Sequence, residues 1–243
     1  MKPDPSQIPF DASKSFGQVF SKYSPCPQGL EYSQRYGGNL RDAAAAWNEA
    51  PNPEFLLWAL EHPCRAEKSE ARSFMCWCLR HTPFGDGRLW ELLVDERSRR
   101  VVEVAERHAC GEATDQELLA ARLAAKAAFA TIAETVDRKA VRLAARAAPC
   151  VGIRAAVWDA AVLVVWDTAR AAAHAAEEAI PDAEGDVYET TYAAAVKSQV
   201  DWLRAKYGNP AARYLAMQEN GQVADAKHVS FQTDEYPRQG SNL

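Results

Sequence analysis

The sequence lacks most of the short motifs that identify a known chemistry. Its 243 residues contain no G-x-x-x-x-G-K-[ST] phosphate loop, no G-x-G-x-x-G dinucleotide loop, no H-E-x-x-H zinc helix and no G-x-S-x-G nucleophile turn. Each of these motifs arranges backbone amides or side chains around one kind of reacting group. Their absence favours a binding protein over an enzyme, and we predict no cofactor, no metal site and no catalytic residue.

Glycine is scarce and alanine is abundant, with 12 and 46 residues respectively. Alanine loses no side-chain entropy when it enters a helix, so this composition favours helical structure. No stretch of the chain shows the alternating pattern of a long strand. The sequence therefore predicts an all-α protein: a single compact array of about eight to ten antiparallel helices, stacked as helical hairpins.

Features of exported and membrane proteins are also missing. Two prolines and an acidic residue stand among the first residues, where a signal peptide has its apolar core. The most apolar stretch, 153–180, carries seven acidic, basic or histidine side chains, which a bilayer would exclude. The six cysteines are spaced too irregularly for a disulfide framework. We therefore expect a cytoplasmic protein with reduced thiols and no membrane contact.

Composition divides the chain into three segments. Residues 1–38 mix proline, glycine and aromatic residues and predict an N-terminal arm; residues 39–218 form an alanine-rich helical domain; residues 219–243 are polar and predict a flexible tail. Within the domain, Thr114 and Glu117 form a capping box that predicts the start of a long helix ending near Val136. Asp86 is predicted to cap a short helix that contains Leu89.

The first candidate site is a stripe on the most apolar predicted helix. Asp167, Arg170 and His174 are spaced so that they share one face of that helix. A carboxylate, a cation and an imidazole together are what a ligand pocket or a proton-transfer site requires. A buried polar network requires the same groups. These three residues are therefore the candidate ligand-binding residues, with a structural network as the alternative.

The second candidate site is a basic ridge, formed by Arg138, Lys139, Arg142 and Arg146 with no acidic residue between 138 and 154. Arginine side chains bind carboxylates and phosphates through paired N–H groups, so the ridge predicts an acidic protein partner or RNA. A solvated helix face would show the same pattern. The net charge of −5 disfavours general nucleic-acid binding.

Three segments resemble a family of alanine-rich helical proteins from bacterial and phage genomes. They are WNEAPNPEFLLWALEHP with the helix that follows it (47–79), LVDERSRRVVEVAERHACGEATDQELLAA (93–121) and LRAKYGNP (203–210). Members of this family are often labelled immunity proteins. The resemblance implies an inhibitory or protective binding role, and it supplies no catalytic residues that could be transferred to this chain.

These observations predict a non-enzymatic protein-binding module with an immunity- or antitoxin-like role in bacterial or phage conflict. Its partner would be another protein, such as a toxin or a phage or defence component. One alternative is a small-molecule binder or enzyme with a pocket at Asp167, Arg170 and His174. A second alternative is a nucleic-acid binder that uses the basic ridge.

Overall fold

Helices make up nearly all of the regular structure. A computed structural model describes residues 27–36, 40–62, 64, 66–180 and 186–219. Their helices are α1 (Pro27–Ser33), α2 (Leu40–Glu49), α3 (Pro53–Glu61), α4 (Lys68–His81), α5 (Glu96–Ala109), α6 (Asp115–Thr135), α7 (Lys139–Ala147), α8 (Val157–Ala179), α9 (Val187–Tyr207) and α10 (Pro210–Glu219). A short hairpin, β1 (Pro83–Phe84) and β2 (Gly87–Arg88), and 3-10 turns at Leu89–Leu92 and Ala148–Gly152 join them.

The predicted all-α fold is confirmed. Most of the predicted N-terminal arm and almost all of the predicted tail lie outside the described residues. Within the described ranges, no helix combines the length and the apolar character that crossing a bilayer requires.

Local signals in the sequence set several helix ends. The Oγ1 atom of Thr114 accepts the N–H of Glu117 at 3.2 Å, and a carboxylate oxygen of Glu117 accepts the N–H of Thr114 at 2.7 Å. This confirms the predicted capping box at the start of α6. Asp95 accepts the N–H of Arg97 at 2.8 Å and starts α5. Gly111, with φ of +78°, follows the end of that helix, where a left-handed residue is common.

The prediction for Asp86 was wrong. Asp86 and Gly85 form the two-residue connection of the β1–β2 hairpin, and Gly85 has φ of +51°. The following 3-10 turn begins at Leu89, with Arg88 in the capping position. A glycine followed by an aspartate suits a tight hairpin connection, and here that preference outweighs the preference of aspartate for a helix start.

Helix α8 lies at the centre of the array. It packs against α7 and α9, and it also contacts α3 and α4. Its inward positions include Ala161, Ala169 and Ala172, all completely buried. Because alanine side chains are short, neighbouring helices can pack closely against these positions. Larger side chains, among them Phe74 and Leu203, fill the space between α4 and the other helices. One face of α8 is left open to solvent.

The 3-10 turn at Ala148–Gly152 packs tightly against α6 at Gly152. A Cβ atom added to Gly152 would lie 2.7 Å from the Cβ atom of Arg122, which the helix backbone holds in place. We expect Gly152→Ala to lower the free energy of unfolding by about 1–3 kcal/mol, because one of the two backbones must move. Urea denaturation measures this change, and a variant as stable as the wild type would contradict the close approach.

Candidate functional site

The open face of α8 carries large side chains between α7 and α9. Leu163, Trp166, Arg170 and His174 recur every three or four residues, so they lie along one face of the helix. Leu163 exposes 56% of its surface. Trp166 and His174 are half-buried, and Arg170 is exposed. Large apolar and aromatic groups left in contact with water on one face are typical of an interaction site.

Two tyrosines of α9 extend this face into a row of rings. The ring centroids of His174 and Tyr188 are 4.7 Å apart, those of Tyr188 and Tyr192 are 6.2 Å apart, and those of Tyr192 and Trp166 are 6.4 Å apart. The guanidinium of Arg170 lies 5.7 Å from the Trp166 ring. Contacts between the rings restrict their rotation before any partner binds. We call the following residues the α8–α9 surface: Leu163, Trp166, Arg170, His174, Tyr188 and Tyr192.

A hollow of about 400 Å³ opens at the Trp166 end of the α8–α9 surface. Trp166 and Tyr192 line it together with Pro51, Asn52 and Arg204. The Oδ1 atom of Asn52 is buried and accepts no hydrogen bond from any described residue. A buried acceptor without a donor costs about 1–3 kcal/mol. Because this atom is closed to solvent, a group that fills the hollow does not reach it in this conformation.

Glu54 of α3 fixes the position of Trp166. The indole Nε1 donates a hydrogen bond to a carboxylate oxygen of Glu54. Burial raises the pKa of Glu54, and the hydrogen bond from the indole opposes this rise. Glu54 also borders a cavity of about 250 Å³, lined mainly by aromatic and alanine side chains that include Trp47 and Phe55. Most of that lining is apolar, so the cavity suits an apolar group better than it suits a chemical reaction.

Asp167 does not join the α8–α9 surface. It lies toward α7, where Nε and Nη2 of Arg146 donate to its two oxygens at 2.9 and 2.5 Å. The Asp167 side chain is only 10% exposed. His174 pairs with Glu177 at 3.0 Å. The predicted ligand-binding residues are thus divided: Arg170 and His174 belong to the aromatic row, and Asp167 belongs to an ion pair between helices.

Two basic side chains of the ridge form ion pairs with acidic residues of α8. Arg138 donates to Glu178 at 2.9 Å, and Arg146 is held by the ion pair with Asp167. Lys139 is exposed and Arg142 is half-buried. Arg138 and Arg146 therefore attach α7 to α8, which reduces the positive charge that the ridge can offer to RNA or to an acidic protein.

Replacing either residue of the Arg146–Asp167 pair with alanine is expected to lower the free energy of unfolding, but by different amounts. Arg146→Ala leaves a mostly buried carboxylate without its partner and is expected to lower the free energy of unfolding by about 1–3 kcal/mol. Asp167→Ala leaves a half-exposed guanidinium that water can solvate, so we expect a loss below about 1 kcal/mol. Denaturation of both variants and of the double variant measures the difference. Equal losses would contradict this asymmetry.

The described cysteines and histidines do not gather into a metal site. Cys76 and Cys78 lie in the core, and burial raises the pKa of both thiols. Across the described ranges, no group of three or more His, Cys, Asp and Glu side chains is placed to hold a metal ion.

Sequence reasoning missed the tyrosines of the α8–α9 surface. Tyr188 and Tyr192 are one helical turn apart at the start of α9, and that spacing was the available signal. Comparisons with protein families, curated proteins and solved structures gave no significant match to this chain. The resemblance to immunity-labelled proteins therefore stays a prediction, and any assignment of function depends on the geometry of the site.

Proposed function

We propose that the protein is a non-enzymatic protein-binding module and that its partner binds to the α8–α9 surface. The observation that supports this best is the row of half-buried rings with an exposed arginine beside it. Tryptophan, tyrosine and arginine contribute a large share of the binding energy at protein interfaces. Their rings supply a large contact area at a low cost in side-chain entropy.

The surface also suggests the chemistry of the partner. An apolar side chain would fill the hollow beside Trp166. Arg170 is exposed and lies over an indole ring, where a carboxylate of the partner could reach it. We therefore propose a partner segment that combines an apolar anchor and an acidic residue.

An immunity- or antitoxin-like role is the form of this function that the family resemblance favours. Such a protein acts by covering a functional surface of its target, so it needs a shaped and partly apolar exterior and no reactive centre. The separation of Asp167 from Arg170 and His174 agrees with this proposal, because the acid, the cation and the imidazole do not meet in one pocket.

Co-purification with the proteins encoded by neighbouring genes tests the proposal. The wild type is compared with Leu163→Ala and Tyr192→Ala, and Leu123→Ala on α6 is the matched control because Leu123 and Leu163 are each 56% exposed. We expect each α8–α9 variant to weaken binding by about tenfold or more and the control to bind normally. Equal weakening by Leu123→Ala, or no specific partner at all, would contradict the proposal.

A further inference from the structure

A polar cavity of about 250 Å³ lies where four parts of the chain meet. These parts are the start of α4, the end of α5, the start of α6 and the residues that precede α8. The described lining residues are Lys68, Ser69, Arg72, His108, Asp115 and Arg154. None of them belongs to the α8–α9 surface, so this cavity is a separate feature of the molecule.

Arg72 is a buried cation in the wall of this cavity, with 3% of its surface exposed. Its Nη1 and Nη2 atoms donate to the carbonyl oxygens of Val151 and Ile153, the latter at 3.0 Å. Both acceptors are neutral, so they fix the guanidinium without balancing its charge. Burial lowers the pKa of Arg72, while the charge of Asp115 acts at longer range in the opposite direction. Buried ions are normally paired, and this one lacks a carboxylate among its described hydrogen-bond partners.

Asp115 is the only carboxylate in the described lining, and two other side chains already share it. His108 Nε2 lies 2.9 Å from one of its oxygens, and Arg154 contacts the other. The hydrogen bond with His108 and the charge of Arg154 lower the pKa of Asp115. Lys68, Arg72 and Arg154 are positive and Asp115 is negative, so these four side chains of the lining have a net charge of +2.

The start of α4 adds further positive potential. Lys68 and Ser69 are the first two residues of this 14-residue helix. The carboxylate of the capping residue Glu67 accepts the Ser69 hydroxyl at 3.3 Å, but it accepts no N–H group of the helix. The first N–H groups of a helix have no acceptor within it, and the helix dipole gives this end a partial positive charge. An anion in the cavity would therefore meet both side-chain charges and backbone donors.

We propose that this cavity binds a phosphomonoester, a small molecule that carries one phosphate group. The dianionic phosphate would balance the net charge of these side chains and bring a negative charge closer to Arg72 than Asp115 does. Lys68 and Arg154 are exposed at the rim, where they can close on the phosphate oxygens. The cavity has room for roughly eight water molecules, which is more than a phosphate needs and leaves space for a small organic group.

Calorimetric titration of the full chain at constant ionic strength tests the site and identifies its ligand. The probes are glycerol 3-phosphate, inorganic phosphate and glycerol. We expect saturable 1:1 binding of glycerol 3-phosphate with a Kd below about 1 mM, weaker binding of inorganic phosphate and no binding of glycerol. Equal affinity for the two phosphates would show that the organic group is not recognised, and it would contradict the assignment to a phosphomonoester. No saturable binding of either phosphate would overturn the proposal.

Three charge variants separate a built site from general attraction between charges. Arg154→Gln is expected to weaken glycerol 3-phosphate binding by about tenfold, and Asp115→Asn is expected to tighten it because a competing carboxylate is removed. Lys126→Gln, on an exposed part of α6, is the control and should bind as the wild type does. The proposal fails if Asp115→Asn does not bind more tightly, or if Lys126→Gln weakens binding as much as Arg154→Gln.

Discussion

Replacing Phe74 with alanine is expected to lower the free energy of unfolding by about 3–5 kcal/mol. Phe74 is 1% exposed and lies in the core between α4 and α9. Its ring centroid is 5.3 Å from that of Trp202 and 6.4 Å from that of Trp77. Alanine would leave a cavity beside these two indoles, which pack on each other with ring centroids 5.4 Å apart. Both the lost burial and the unfilled space destabilise the fold.

Urea denaturation followed by circular dichroism measures the Phe74 effect, with Phe74→Leu as the conservative control. Leucine keeps most of the buried volume, so we expect it to lose less than half as much stability as alanine. Trp202 belongs to α9, which also carries Tyr188 and Tyr192 of the α8–α9 surface. Phe74→Ala should therefore weaken partner binding indirectly. A stability loss below about 1 kcal/mol would contradict the packing of α4 against α9.

Glu70→Gln is expected to remove a large part of the protein's sensitivity to acid. Glu70 is 9% exposed, and its carboxylate accepts hydrogen bonds from the Tyr207 hydroxyl at 2.6 Å and the Lys206 ammonium at 2.8 Å. Burial alone would raise the pKa of Glu70, but hydrogen bonds to its carboxylate, among them those from Lys206 and Tyr207, together with the charge of Lys206, outweigh burial and lower it to about 2 from its ordinary value of 4.5.

A carboxyl group with a lowered pKa in the folded state stabilises the fold in its ionised form. Its contribution is complete above about pH 4.5 and is lost as the pH falls toward 2. A pKa lowered from 4.5 to about 2 corresponds to about 3 kcal/mol, most of which is lost between pH 4.5 and 2. Over that pH range, we expect the free energy of unfolding of the wild type to fall by about 2–3 kcal/mol more than that of Glu70→Gln.

Denaturation at a series of pH values measures the acid dependence of the wild type and of Glu70→Gln. Glu103→Gln, which changes an exposed carboxyl group on α5, serves as the control and should follow the wild type. Parallel curves for the wild type and Glu70→Gln between pH 4.5 and 2 would contradict the stabilising role of the Glu70 hydrogen bonds.

The sequence predicts the helices well where the signals for them are local. The Thr114–Glu117 capping box starts α6 where expected, and that helix ends at Thr135, next to its predicted end near Val136. At Asp86 two local preferences compete: aspartate favours the start of a helix, and a glycine followed by an aspartate favours a hairpin connection. Only the structure shows that the hairpin forms.

The candidate site was predictable only where its residues share one helix. Arg170 and His174 are found together because their spacing places them on one face of α8. The pairing of Asp167 with Arg146, and of His174 with Tyr188, depends on how α7 and α9 are rotated about their own axes. Helical periodicity gives the face of each helix that is buried, but it does not give the neighbour that each side chain meets. The polar cavity at Arg72 joins four separate segments, so no spacing in the sequence predicts it.

The most direct test of protein binding through the α8–α9 surface is photo-cross-linking in the cells that produce the protein. Leu163, Tyr192 and the control Leu123 are replaced one at a time with p-benzoylphenylalanine, and the cross-linked products are identified by mass spectrometry. We predict that positions 163 and 192 capture the same protein and that position 123 does not. If positions 163 and 192 capture nothing, or if position 123 captures that protein equally well, the partner does not bind to the α8–α9 surface.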